Sequence, residues 1–519
     1  LYIIENNFVQ VVLVMILRRK LSFISGLICG LAFAPLYFFP GLLMLSVLCA
    51  QIHRSTTIRQ VLGFGYMFGF GFFLASLYWI SFGVAVYIEE FWWALPFALF
   101  GLPAFIAIFI ALVAAVSWRF RLSFLYHIIF CVIWVFIEWL ISWIFTGLPW
   151  ALLGYAFAIS ETLIQPASIF GVLGLSFAAV FIGSAFYSKG LLVSRVIISI
   201  VILTLFTSYG YLRLEDNPTE YSDIKVRVVQ PSIPQIAKWD SSAFESNLNK
   251  QVEMSKKEGN PDIIIWSEAA LTAPYYYRPI YNSLMSIFAK EGQILLSGGV
   301  NDNGLSGDDY EIYSSLIALD GAGELLFDYH KSHLVPFGEY MPLKNYLPMK
   351  KLTPGVIDYT PGYREVVYLK DLNLRIWPLV CYESIFFNEV RISNTDVDLI
   401  VNITNDAWYG KSSGPFQHLQ ISRMRAIENG LPLIRSGNNG ISAIIDPVGR
   451  VTSSLGLDIV DTLDGYIPYK LTLPTTFSDR GILGLIIGVF FVLILHFVCF
   501  FLYLFWKYKN KILEQMHGQ

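Results

Sequence analysis

Apolar residues follow two different patterns along this 519-residue chain. In residues 22–211 and 481–506 they form long runs broken by short polar connections. Between 212 and 480 the runs shrink and alternate with polar stretches. A helix that crosses a bilayer needs about 20 mostly apolar residues. The long runs supply eight candidate spans: 22–38, 41–52, 61–86, 92–117, 123–144, 166–187, 191–211 and 481–506. The second is short, and Pro40-Gly41 separates it from the first.

The middle stretch opens after Tyr211 with a polar linker, Arg213-Leu-Glu-Asp-Asn-Pro218. Runs rich in Ile, Val and Leu then read as buried strands: Ile224–Gln230, Ile263–Trp266, Ile294–Gly298, Ser315–Leu319, Leu374–Val380, Leu399–Ile403, Leu433–Ser436 and Ser442–Ile445. Segments 241–257, 279–290 and 414–429 read as helices between them, and Asp446-Pro-Val-Gly449 as a hairpin turn joining two strands. Alternating strand and helix predict a layered α/β domain. The expected organisation is a membrane domain of about seven spans over 1–211, an α/β domain over 212–480, and a last span with a short tail over 481–519. No internal repeat or low-complexity tract stands out.

Composition supports this division. Hydrophobic residues make up 55% of the chain and charged residues 14%, against about 25% charged in soluble domains. The net charge of −3, with no basic stripe carrying interleaved aromatics, argues against a nucleic-acid partner. The basic clusters set an orientation. Arg18-Arg19-Lys20, Arg54 with Arg59, Arg119 with Arg121, Lys189, and Lys507 with Lys509 and Lys511 all fall on one side of an eight-span bundle; Glu89-Glu90 and Glu161 fall on the other. The positive-inside rule makes the basic side cytoplasmic, so both termini are expected there and 212–480 outside. A bacterial inner membrane with a periplasmic domain is the natural setting. Translation is expected to begin at Leu1 or Met15, and residues 1–20 lack the cleavage site of a signal peptide.

Of five cysteines, Cys381 alone lies in the middle domain, so it is a free sulfur there; the others, Cys29, Cys49, Cys131 and Cys499, sit in apolar runs. Cys381 ends the strand Leu374–Val380 and opens Cys381-Tyr382-Glu383-Ser384. That places it at a strand's C-terminal edge, where ligands collect in such sheets, and a helix starting there would favour thiolate. Glu268 follows the strand Ile263-Ile-Ile-Trp266-Ser267, and Lys331 lies in Tyr329-His330-Lys331-Ser332-His333. A thiol, a carboxylate and an ammonium can serve as nucleophile, general base and oxyanion partner in acyl transfer. Glu339 and Glu383 supply further carboxylates. Spacing gives no metal site and no disulfide framework.

Glu268, Lys331 and Cys381, in that order and with those neighbours, resemble the Glu-Lys-Cys triad of the nitrilase superfamily, whose domain is an α-β-β-α sandwich. The strings His333-Leu-Val-Pro-Phe-Gly-Glu-Tyr340, Val380-Cys-Tyr-Glu383, Asn405-Asp-Ala-Trp-Tyr-Gly410, Gln417-His-Leu-Gln-Ile-Ser-Arg-Met-Arg-Ala426 and Arg435-Ser-Gly-Asn-Asn-Gly440, with seven spans before the domain and one after, resemble its membrane-embedded branch, the apolipoprotein N-acyltransferases. The fold class so implied is a polytopic α-helical membrane bundle carrying a nitrilase-like domain. The resemblance implies a ping-pong reaction without a cofactor; a monomer is expected. Cys381 takes an acyl chain from the sn-1 ester of a phospholipid, typically phosphatidylethanolamine, and passes it to the α-amine of a diacylglyceryl-cysteine apolipoprotein, the last step of lipoprotein maturation. Glu268 is the base, and Lys331, with a backbone N–H near residue 382, holds the oxyanion. Glu339, Tyr382, Glu383 and Trp239 support the site or substrate. Two positions depart from the superfamily pattern: Ser267 stands where Pro is common, and Tyr313-Ser314-Ser315 stands where Tyr-Asn-Ser is common.

Both substrates carry acyl chains that leave a bilayer only at about 0.8 kcal/mol per CH₂. The site is therefore expected at the membrane surface. Segment 334–352, with Leu334, Phe337, Tyr340, Met341, Leu343, Tyr346, Leu347, Met349 and Leu352, reads as an apolar arm that dips into the interface. Tyr275-Tyr276-Tyr277 reads as a second anchor. A membrane-tethered amidase acting on a small C–N substrate would share the triad but needs neither arm nor bundle. A transporter or receptor with a dead outer domain would carry ionisable residues inside its spans, where Glu138 is the main instance.

Overall fold

A computed structural model describes residues 2–188, 191–346, 350–352, 357–391, 397–473, 475–477 and 483–517. Contacts divide the chain into two compact units: Leu1–Tyr78 with Phe97–Leu212 and Arg480–Gln519, and Trp79–Pro96 with Arg213–Asp479.

The first unit is helical. Its main helices are α1 (Tyr2–Gly30), α2 (Met44–His53), α3 (Ile58–Leu77), α4 (Leu102–Trp118), α5 (Tyr126–Ile141), α6 (Ala167–Gly183), α7 (Leu192–Asp216) and α11 (Leu483–His517). Among the described residues three helices are long and apolar enough to cross a membrane: α3, α4 with its preceding turn (Phe97–Trp118), and α7. The expected spans need four adjustments. Helix α1 runs through Arg18-Arg19-Lys20 and stops at Gly30 rather than 38, and α2 has only ten residues, about 15 Å at 1.5 Å per residue. The expected span 61–86 ends at Leu77, because Trp79–Pro96 packs with the second unit. The polar linker after Tyr211 begins later, since α7 continues to Asp216. Lys189 and the opening of the last span at 481–482 lie outside the described residues. Glu138 is buried and accepts from Trp134 Nε1 (3.0 Å) and from the backbone N–H of Leu153 (2.9 Å). It thus pins the loop after α5, a structural use that needs no transported ion.

The second unit holds two six-stranded sheets, built from β1 (Tyr221–Gln230), β2 (Ile263–Ile265), β3 (Ile294–Asp302), β4 (Ile312–Asp320), β5 (Leu325–His330), β6 (Val367–Leu369), β7 (Leu374–Val380), β8 (Leu399–Thr404), β9 (Leu433–Gly437), β10 (Ser442–Ile445), β11 (Val451–Leu455) and β12 (Asp461–Pro468). Strand orders are β12-β1-β2-β3-β4-β5 and β11-β10-β9-β8-β7-β6. From β12 to β5, and from β6 to β11, the pairings run antiparallel, parallel, parallel, antiparallel, antiparallel in both sheets. One architecture is therefore used twice, although the sequence shows no repeat.

Alternation along the strands explains the layers. Val229, Ile264, Trp266 and Leu295 pack with Leu248 and Val252 of α8 (Phe244–Ser255) and Leu284 of α9 (Arg278–Met285). On the other sheet Leu379, Ile400 and Leu433 pack with Leu419 and Ala426 of α10 (Gly414–Asn429). The opposite strand faces meet each other, as where Ser436 Oγ reaches Ile265 O at 3.3 Å. The order is helix, sheet, sheet, helix.

Candidate active site

The candidate residues stand at C-terminal strand ends in this sandwich. Cys381 follows β7 with φ +54°, a left-handed conformation unusual for a residue with a Cβ. This kink breaks the strand and opens a five-residue 3₁₀ turn, Cys381–Ile385. The α-helix whose dipole would favour thiolate does not form, so that expectation is corrected. Burial instead raises the thiol pKa, and Glu268 and Asp406 push the same way, while Lys331 and a hydrogen bond from Thr404 oppose them. The resting sulfur is a thiol, so it needs a base.

Glu268 follows β2 and is held at both oxygens. Oε1 accepts from Lys331 Nζ at 3.3 Å, and Oε2 from the Asn405 N–H at 2.9 Å. Gly298 on β3 makes this placement possible: a Cβ there would stand 2.4 Å from Ser267 O and 2.7 Å from Glu268 Cα. Lys331, just past β5, is 1% exposed, and its ammonium also donates to Glu339 Oε1 at 2.8 Å. Against the desolvation that would lower it, Glu339 and Glu268 raise its pKa well above that of a free lysine. Lys331 therefore stays charged.

Glu383 is a clamp rather than a free carboxylate. Its Oε1 accepts from the N–H and hydroxyl of Ser332 (both 2.8 Å) and the His333 N–H (3.2 Å), and its Oε2 from the Val380 N–H (2.7 Å). Tyr329 Oη lies within 3.2 Å of both oxygens. One side chain thus ties the residue after Lys331 to the residue before Cys381. Glu339 plays a similar part at the root of the 334–359 excursion: Oε2 accepts from Val335 N at 2.7 Å and its carbonyl from Tyr359 N at 2.9 Å. Tyr382 is buried and packs edge-on against the stacked rings of His333 and Phe386. Trp239 is half-buried, with an indole N–H that has no partner among the described residues.

The arm is only partly exposed. Phe337, Leu343 and Tyr346 are exposed and Tyr340 is half-buried, but Met341 and Leu334 are buried, a correction to their expected place on its surface. Leu347 and Met349 lie outside the described residues. Of the three tyrosines, Tyr276 and Tyr277 are exposed, whereas Tyr275 packs on the α8–α9 core.

Several residues were given no role from sequence. Lys238, beside Trp239, is buried and donates to Glu268 O at 2.9 Å; desolvation lowers its pKa to about 8. Beneath the thiol, Asp406 accepts from Thr404 Oγ1 (3.0 Å), His418 Nδ1 (2.9 Å) and Arg435 NH2 (2.8 Å). Burial alone would raise its pKa, but Arg435 and His418 hold it down at about 2. Trp79, from the segment expected to lie in a span, donates to Gln417 Oε1 at 3.2 Å and packs edge-on against Tyr409, 4.6 Å between ring centres. The strings quoted from sequence contain most of these residues, but nothing local marks them as partners. Among the described residues no group of three or more His, Cys, Asp or Glu side chains is arranged to hold a metal ion.

Residues 25–185 match the family model "Apolipoprotein N-acyltransferase N-terminal domain", and residues 225–472 match "Carbon-nitrogen hydrolase". The apolipoprotein N-acyltransferase of Rickettsia prowazekii (strain Madrid E) is 50% identical over 485 residues, covering 92% of this chain and 98% of that protein. The chain belongs to the apolipoprotein N-acyltransferase family. The family's enzyme from Brucella melitensis is 38% identical over 427 residues, covering 78% of this chain and 79% of its own. An amidase from Nesterenkonia sp. is also similar in structure, at 18% identity, with 50% of this chain and 94% of that one covered and a TM-score of 0.36. As a family member the chain is an N-acyltransferase with a carbon–nitrogen hydrolase domain.

Proposed function

We propose that the chain transfers an acyl chain from the sn-1 position of a phospholipid, through a thioester on Cys381, to the α-amine of a diacylglyceryl-cysteine apolipoprotein. Glu268 takes the thiol proton as sulfur attacks the ester carbonyl. Lys331, with the backbone N–H of Tyr382, stabilises the oxyanion. Collapse expels lysophospholipid, whose alkoxide takes the proton back from Glu268. The acceptor amine then attacks the thioester, Glu268 receives its proton, the C–S bond breaks to return the pair to sulfur, and Glu268 passes the proton to that sulfur, restoring the thiol. The observation that carries this reading is the buried ion pair: Lys331 Nζ lies 3.3 Å from Glu268 Oε1, in a site where the thiol is not ionised and must hand its proton to a base. Glu339 and Glu383 position Lys331 and the nucleophile turn, and Tyr382 and Trp239 face the substrate.

The reading extends to setting. Phosphatidylethanolamine is the donor and the enzyme acts as a monomer in the bacterial inner membrane. Eight spans anchor it, with both ends cytoplasmic; domains run 1–211, 212–480 and 481–519, the middle one periplasmic. Exposed Phe337 and Tyr346 support an arm that reaches lipid. Intact mass measurement after incubation with phospholipid tests the chemistry. The expected result is a hydroxylamine-labile acyl adduct, absent in Cys381→Ala. Turnover without such an adduct would overturn it.

A further inference from the structure

Thr404, the last residue of β8, is fully buried with its hydroxyl between two acceptors. Oγ1 lies 3.3 Å from Cys381 Sγ and 3.0 Å from Asp406 Oδ1. A hydroxyl has one proton, so it serves one acceptor at a time. Asp406 can do without it. Its Oδ1 also receives His418 Nδ1 and its Oδ2 receives Arg435, at 2.9 and 2.8 Å. Burial and Arg435 lower the His418 pKa, so the ring is neutral. Nδ1 lies 2.9 Å from both Asp406 Oδ1 and Arg435 NH2, and Nε2 lies 3.0 Å from Ser384 Oγ. With the ring proton on Nδ1 it is given to Asp406, and Arg435 serves Asp406 Oδ2. Asp406 is therefore a fixed anion, already paired, that takes the Thr404 proton when the sulfur does not need it.

We propose that Thr404 is a further catalytic residue, whose hydroxyl donates to the Cys381 sulfur while that sulfur carries negative charge and turns to Asp406 when the sulfur is acylated. The inference rests on Cys381 being the nucleophile. Charge sits on sulfur at two moments: after Glu268 takes the thiol proton, and when the C–S bond breaks and its electron pair returns. Neutral thioester sulfur accepts hydrogen bonds poorly, so between those moments Asp406 is the better partner. A fixed cation in this place would hold the thiolate at all times and blunt it, since nucleophilicity falls with thiol pKa. A hydroxyl that swings supports the charge only when it is present.

The test is the pH dependence of Cys381 alkylation by iodoacetamide in the full-length protein, read on the peptide that carries Cys381. Glu268, Lys331, Lys238, Asp406 and Tyr409 act on the sulfur, and His418 on the Cys381 backbone, in every variant, so differences isolate the hydroxyl. A hydrogen bond to a charged group is worth about 10- to 100-fold. Thr404→Val is expected to shift the alkylation profile upward by at least about one pH unit and to slow labelling at neutral pH about tenfold or more. Thr404→Ser restores the original profile, and Thr404→Ala repeats the shift should the valine variant fold poorly. Val and Ala profiles that coincide with the unsubstituted protein's would overturn the proposal. An unsubstituted Cys381 that resists labelling across the range would instead remove the nucleophile reading beneath it.

Discussion

Glu383→Gln separates a clamp from a proton carrier. The carboxylate is 2% exposed and accepts from the Ser332 N–H and hydroxyl and the His333 N–H on Oε1, from the Val380 N–H on Oε2, and from the Tyr329 hydroxyl, which lies within 3.2 Å of both oxygens. Glutamine keeps one oxygen. With that oxygen toward Ser332 and His333, its NH₂ faces the Val380 N–H, 2.7 Å from the present oxygen, and two donors meet. The opposite flip strands two backbone donors, so the first is cheaper. Losing one charge-assisted bond and leaving its buried donor unpaired costs about 1.5–3 kcal/mol. That corresponds to a melting shift of roughly 5–10 °C for a domain of this class. Because Val380 precedes Cys381 and Ser332 follows Lys331, the strain falls on the distance between nucleophile and ammonium. A displacement of about 1 Å can cost about 100-fold in rate. Thermal unfolding in detergent and the rate of acyl-enzyme formation across pH are the assays. The expected outcome is lower stability and a lower rate at every pH, with the shape of the pH profile kept. A variant that melts normally but loses one limb of its pH profile would refute the clamp and give Glu383 a proton-transfer role.

Five further outcomes follow from the same geometry. Gly298→Ala forces a methyl against Ser267 O and Glu268 Cα and should cost about 1–3 kcal/mol while slowing thioester formation; full activity would mean that the β2–β3 approach is loose. Arg435→Met leaves Asp406 as a buried unpaired anion, at about 3–5 kcal/mol in chemical denaturation. Asp406, held near 2, contributes stability above the ordinary carboxylate pKa that is lost as pH falls from about 4 to 2, and Asp406→Asn should remove that dependence. Lys238, lowered to about 8, pays its desolvation cost in full below pH 8 and sheds it between there and the free-lysine value of about 10.4; the native protein should gain on Lys238→Met across that window, and a constant gap in denaturation would contradict burial as the cause. Replacing Phe337 and Tyr340 by Ser should weaken use of phospholipid more than hydrolysis of a soluble thiol-reactive ester, whereas equal losses would count against an arm in the interface.

The strands show why some of this fold can be read locally. The eight runs picked out by composition are the eight inner strands of the two sheets, and the four strands with no run named for them, β5, β6, β11 and β12, are the four edges. An inner strand is covered by neighbours and by layers on both faces, so its core-crossing stretch is largely apolar; Leu399–Thr404 is buried at every residue. An edge strand such as Asp461–Pro468 mixes exposed and buried positions and carries Asp461 and Asp464, which looks like loop. The turn at Asp446–Gly449 signalled β11 only indirectly, through Gly449 at φ +80°. Helix ends in the apolar unit were misjudged for a related reason: hydropathy reports burial or lipid contact without saying which, so it carried one span through Trp79.

From sequence alone came the class of the α/β domain, its inner strands, and the thiol, carboxylate and ammonium at strand ends, because burial and chain reversal leave local marks in composition. Tertiary structure decided which polar groups meet. Glu268 finds Asn405 across 137 positions, Lys331 finds Glu268 across 63, and Thr404 finds Cys381 across 23. Hydrogen bonds and ion pairs act over about 3 Å of space and leave no periodicity in a chain, so only the folded sheets, with their strand ends brought together, could assign each side chain its partner.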